Sequence, residues 1–295
     1  GSLITSSRID LDIDMIKTVE ITRGPASTSQ GSDAIGGLVL FQTKSASDFI
    51  DGEEGFGGHV KVLYDDKTSG FRHSVALAHR SGQFDTVLSY SQADFDGADD
   101  YHKLYQENSK PKSALFKTTY FFENDDFIRF SIDWNETDNF TDPVNETDEK
   151  FEYTEDTSER IRYGVQYVGA IKTALADEVA LQLDWQEKDQ DSGTYRWKGP
   201  NRFNPNAAPF GELKDYAYNE KGYSFDLQLN KQITVGEVEH NIAYGATVKN
   251  TDYSNVNITR DDSDFDGEYD DFTELFYYIP SSEADSLGVY FLDEI

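Results

Sequence analysis

A chain of 295 residues with 56 acidic against 26 basic side chains carries a net charge of -30, and its mean hydropathy of -0.65 leaves no run near the roughly 20 apolar residues of a membrane helix. A helical membrane protein is excluded; a membrane β-barrel is not, because its strands show lipid only alternate residues. So acidic a chain offers no general basic surface for nucleic acid, and without cysteine it holds neither a disulfide framework nor a thiolate metal site.

In chain order, Gly1–Arg8 lacks the basic and apolar regions of a signal peptide, so a cropped precursor or a non-exported chain is expected, and cropping is favoured. The stretch Val19–Thr43 runs a strand into Arg23-Gly24-Pro25, a small-residue segment through Gly31, the turn Ala34-Ile35-Gly36-Gly37, and a second strand to Thr43. Pro25 has a φ suited to a first helical position, and the Gly36-Gly37 pair permits a tight turn or close backbone approach. This ordered string resembles the end of the plug domain of TonB-dependent outer-membrane receptors. The resemblance implies a plug whose Arg23 pairs with barrel carboxylates and holds the plug until energised, with Gly24, Pro25, Gly36 and Gly37 forming the lock's backbone. Ser7–Asp12 and the junction Thr43–Tyr64, with its short Asp-containing segment and Gly-rich link, are similar to the haem and haemoglobin receptor branch.

From Gly57 onward the pattern is period-two alternation. Val60, Val62 and Tyr64 share a face against His59 and Lys61. Strands follow at about Phe71–His79, Phe84–Gln92 and Ala114–Phe122, the last opposing Phe116 and Tyr120 to Lys117 and Thr119. Further strands centre on Ile128–Asn135, Ile161–Tyr167, Val179–Gln186, Tyr223–Asn230, Asn241–Lys249 and Leu287–Ile295, ten in all. Tight turns are expected near Ser81-Gly82-Gln83, Asn124-Asp125-Asp126, Ala176-Asp177-Glu178 and Val235-Gly236-Glu237. Opposite them lie one short link, Asp65–Gly70, and four long ones, roughly Phe95–Ser113, Phe140–Arg160, Gln190–Gly222 and Tyr253–Ser286. Alternating short and long links predict periplasmic turns at one rim and extracellular loops at the other. A soluble all-β domain is the other reading of the alternation.

The expected fold is therefore an all-β transmembrane barrel, about ten antiparallel strands of a larger barrel of about 22, preceded by the C-terminal part of an α/β plug. Residues 1–50 are read as plug and 51–295 as the N-terminal part of an incomplete barrel. The chain is expected to be a fragment, lacking the N-terminal segment through which TonB would engage, so no TonB box is assigned.

Histidine is the residue to inspect for haem. Only His102, between Tyr101 and Tyr105, falls in a long outer loop; it is the ligand-binding candidate, against the plainer reading of an exposed loop histidine. His59, His73, His79 and His240 are not placed to catch an external ligand, and the resemblance puts the branch's haem ligands outside this stretch. In Asp261–Asp271, Asp262, Asp264 and Asp266 alternate before Gly267 as in calcium loops, with Asp270 near. Thr273 stands where an EF-hand has Glu, so an acidic solvated loop is the competing reading. No catalytic constellation is present, and an enzyme is not expected.

The resemblance implies an integral outer-membrane receptor of a Gram-negative bacterium, a monomeric barrel in the lipid bilayer, for TonB-energised uptake of haem or haem-iron, including from haemoglobin. A ferric siderophore or cobalamin is the alternative cargo. An adhesin-like, binding-only surface β protein is the alternative of another class, and it has no need of the Val19–Thr43 string.

Overall fold

The computed structural model describes residues 12–23, 37–97, 106–142, 152–200, 203–263, 274–276 and 280–295. Two strands, β1 (Ile16–Arg23) and β2 (Gly37–Thr43), pair antiparallel as a small separate sheet. A linker with a short 3-10 turn at Ala46–Asp48 leads from it into a long sheet. That sheet runs β3 (Gly55–Asp65), β4 (Gly70–Ser81), β5 (Phe84–Asp96), β6 (Gln106–Phe121), β7 (Phe127–Asp142), β8 (Glu152–Ala170), β9 (Glu178–Lys198), β10 (Phe210–Val235) and β11 (Val238–Asp262), each antiparallel to the next. β11 is flanked by the short β12 (Glu274–Phe276) and by β13 (Ser282–Glu294). All ten strands expected from the alternation are present, and β12 is an eleventh member that the sequence pattern did not reveal.

The two faces of this sheet are inverted relative to a soluble sandwich. Val60 is 78% exposed, Leu77 62% and Leu183 52%, while Ser91 and Thr119 on the opposite face are 1% and 3% exposed. Apolar belts outside and buried polar groups inside are what a wall in lipid requires. The inner face is the one against which the β1–β2 hairpin and the linker sit, so an outer-facing row such as Leu181, Leu183 and Trp185 alternates with the inner-facing Gln182, Asp184 and Gln186 along β9.

Turn chemistry sets the register at one rim. Gly82 and Gly236 take φ of 55° and 67°, Asp125 takes 66° and Lys172 43°. At Gly82 and Gly236 such values let two-residue turns follow the strand twist, while Asp125 and Lys172 lie in the longer links 122–126 and 171–177. The link expected at Ala176–Glu178 is longer than a tight turn: residues 171–177 fold back over the wall, with Lys231 Nζ donating to Asp177 (2.7 Å) and Tyr244 Oη donating to the Leu175 carbonyl (2.8 Å). This correction follows from Lys172 and Ala176, whose backbone bonds to Asp177 and Thr173 close a wider loop.

The opposite rim also departs from expectation. Among the described residues the four long links are largely strand: β9 and β10 stay paired from Glu178↔Asn230 up to Lys198↔Phe210, and β10 and β11 up to Gly211↔Asp262. Strand length climbs from 11 residues in β3 to 26 in β10. At roughly 3.3 Å per residue β10 is about 85 Å long, against the 9–11 residues that cross a bilayer, so the wall rises well above the lipid.

Candidate functional site

The site is the inner face and what is fastened to it. Asp12 caps the short 3-10 turn Ile13–Met15 before β1, its carboxylate accepting from the Asp14 backbone N–H (2.7 Å) and fixing that turn. Asp14 then receives the Lys61 ammonium of β3 at 2.6 Å, and Arg72 of β4 reaches Asp12 at 3.4 Å. At the same base of the hairpin, where Thr43 pairs with Ile16, Lys117 of β6, 7% exposed, donates to both the carbonyl (3.0 Å) and the hydroxyl (2.6 Å) of Thr43. Burying an ammonium without a carboxylate beside it is costly, so these two bonds define where β2 must end on the wall.

Below this, Lys17 pairs with Asp48 (2.8 Å), tying β1 to the linker. Arg80 forks onto Asp85 (2.7 and 2.6 Å) and donates to the Gly52 carbonyl (3.0 Å). The linker lies so close to β3 that a Cβ on Gly57 would stand 2.3 Å from the Phe49 carbonyl oxygen, which is why glycine occupies that position. Burial pushes the Asp14 carboxyl up, but the bound Lys61 outweighs it, with Arg72 assisting, and holds it below its ordinary value; Asp48 is likewise depressed, the Lys17 and Ser45 bonds outweighing burial.

Further around the inner face Arg160 pairs with Asp133, and Arg162 with Asp184 (2.8 Å), while Arg129 donates to Thr119 (3.0 Å) and Gln166 (3.1 Å). A chain of net charge -30 thus lines its inner wall with paired cations and carries its acid surplus elsewhere. Higher on β10 the Tyr218 hydroxyl donates to Glu220 at 3.4 Å.

The residues expected from sequence are placed as follows. Arg23 is the last residue of β1, paired across the hairpin with Gly37 of β2; Gly24, Pro25 and Gly36 lie outside the described residues. His102, Tyr101 and Tyr105 also lie outside them. Asp262 closes β11, fully buried, and accepts from the Tyr195 hydroxyl at 2.8 Å; Asp264, Asp266 and Asp270 lie outside. The remaining histidines are engaged locally: His59 stacks on Phe49, His79 on Phe56 at 4.2 Å, and His240 contacts Asp293 at 2.9 Å. Sequence reasoning missed Lys117, Asp14 and Arg72. The available signal was a charge at mid-strand on the polar face, as at Lys117, with its partner 74 residues away.

The wall has the pattern of a transmembrane β-barrel, apolar on its outer face and polar on its inner one. Within that class the chain resembles TonB-dependent outer-membrane receptors, and its relatives bear this out. No known family model matches the chain. It is 37% identical over 83 residues to transferrin-binding protein A of Haemophilus influenzae, covering 28% of this chain and 9% of that protein. It is 30% identical over 114 residues to hemoglobin and hemoglobin-haptoglobin-binding protein C of the same species, covering 38% and 11%. To the hemoglobin-haptoglobin utilization protein B of Neisseria meningitidis it is 24% identical over 287 residues, 80% of this chain and 35% of the relative. The chain thus spans about a third or less of the length of these relatives.

Proposed function

We propose that this chain is part of a TonB-energised outer-membrane receptor that takes iron from a host carrier protein, with haem or haem-iron from haemoglobin as the cargo. The observation that carries the receptor reading is the inverted wall with a hairpin fastened to its polar face. In this reading residues 1–50 are the C-terminal part of a plug and 51–295 the first part of the barrel. Arg23 helps to hold the plug, and TonB acts on a segment upstream. The haem assignment is supported by the Thr43–Tyr64 junction and by the haemoglobin-haptoglobin relative, which matches 80% of the chain. A second reading, iron drawn from transferrin, is favoured by the more identical but shorter match.

The test is growth. The full reading frame containing this chain, expressed in an iron-starved Gram-negative host without its own haem receptors, permits growth on haem or haemoglobin and loses it when TonB is deleted. Arg23→Ala impairs uptake more than ligand binding. Growth on iron-loaded transferrin alone selects the second reading, and binding with no TonB dependence in any medium indicates a surface adhesin.

A further inference from the structure

Along the outer face of β10 every second residue from Tyr223 to Val235 is aromatic or aliphatic save one: Lys231 interrupts Phe225, Leu227, Leu229, Ile233 and Val235. A cation in a lipid-facing row is costly unless its charge is met. The register sets Val179 of β9, Leu229 of β10, Tyr244 of β11 and Phe291 of β13 side by side on that face. Phe291 is 67% exposed, yet Val179 is only 9% exposed. Its cover is the link 171–177. The Lys231 ammonium donates to the Thr173 carbonyl (3.0 Å) and to Asp177 (2.7 Å), and the Tyr244 hydroxyl donates to the Leu175 carbonyl (2.8 Å). Lys231 and Tyr244 both belong to the outer face, so the link crosses that face from the end of β8 to β11.

Irregular backbone survives at membrane depth only where protein meets its polar groups, and here protein does. The N–H groups of Ile171 and Lys172 reach the Asp177 carbonyl, and those of Leu175 and Ala176 reach the Thr173 hydroxyl. The Thr173 N–H reaches the Ala176 carbonyl, the Asp177 N–H reaches the Asn230 carbonyl, and the second Asp177 carboxylate oxygen accepts from the Gln232 N–H (2.9 Å). What the link turns outward is chiefly apolar: Leu175 is 75% exposed and Ile171 39%, with Ala174 exposed between them. Its exposed cation, Lys172, lies near Asp126 of the adjacent link.

We infer that residues 171–177 are an interfacial anchor, a strap laid over the outer face of β9–β11 in the leaflet at the short-turn rim, which sets Leu175 among the lipid chains and seals the Lys231–Asp177 pair beneath. The occupant is lipid because the exposed apolar face continues past the strap on both sides, through Leu183 above and Ile233 and Val235 toward the rim. The inference rests on the membrane-wall reading and deepens it.

Single nitroxides at Leu175→Cys, Leu183→Cys and Glu237→Cys, in a cysteine-free background of the full reading frame reconstituted in phospholipid vesicles, report where each position sits. Oxygen concentrates in lipid and a nickel chelate stays in water. The oxygen-to-nickel relaxation ratio at Leu175→Cys lies within about threefold of that at Leu183→Cys and on the order of tenfold above that at Glu237→Cys in the hairpin turn, as insertion to the acyl boundary requires. A Leu175→Cys ratio equal to that of Glu237→Cys overturns the inference. Shielding of Leu175→Cys from both agents overturns it too, by placing a second copy or another protein over the strap. Ala174→Cys supplies the same reading should Leu175→Cys fail to insert. Failure of the membrane-wall reading is seen separately, as a nickel preference at Leu183→Cys itself.

Discussion

At the scale of single residues, Lys117 shows how a wall position acquires a structural task. Its ammonium is buried and its bonds go to a backbone carbonyl and a hydroxyl of Thr43, so Lys117→Met removes a charge-assisted bond while keeping the stem. We expect the hairpin to lose about 1.5–3 kcal/mol of local stability, roughly a ten- to hundredfold rise in amide exchange across β1 and β2; unchanged exchange would refute that task. Asp14 adds a pH dependence of definite sign. Its carboxyl lies below 3.8 in the folded protein, so its contribution is fully present above that value and is lost as pH falls through the depressed folded one. Acid below about pH 3.8 should therefore loosen the hairpin in the native protein more than in Asp14→Asn, in which that step of the exchange profile disappears. None of this was legible in the sequence. Lys117 could be assigned to the polar face by alternation, but its partner is fixed only by the return of the chain.

At the scale of elements, the strands crossing the lipid were readable because one face must be apolar and the other polar over about ten residues. Above the lipid that constraint vanishes, and Thr154–Ser158 and Asp189–Thr194 are polar on both faces. They look like loop, yet they remain hydrogen-bonded strand, as Thr157↔Asp191 and Ser158↔Gln190 show. The turns at Gly82 and Gly236 were legible for the opposite reason: a positive φ leaves few residue choices. The two faces make a direct energetic prediction. Arg at Leu181, Leu183 or Phe225 should cost roughly 2–4 kcal/mol near the bilayer midplane, while Arg at Gln182 or Gln228, which the strand register puts on the opposite face, should cost much less. Folding titrations of the full reading frame into lipid vesicles read the difference, and equal costs on both faces would refute the orientation of the wall.

At the scale of the whole molecule, the acid surplus and the low hydropathy are reconciled by where the charges sit. The lumen pairs its arginines and lysines with carboxylates and with the hairpin, the outer belt is apolar, and the tall outer strands carry much of the remaining acid, as at Asp189, Asp191 and Asp215. The central claim is that one face of this sheet contacts lipid while the other encloses a polar lumen. The most direct measurement is a nitroxide scan of β9 from Val179 to Gln186 in the full reading frame, one cysteine at a time in a cysteine-free background, reconstituted in vesicles. The account predicts period-two accessibility beyond the buried Val179, with Leu181, Leu183 and Trp185 relaxed by dissolved oxygen and Ala180, Gln182, Asp184 and Gln186 shielded from it. Oxygen accessibility that is uniform along β9, or highest at the even positions, would contradict it.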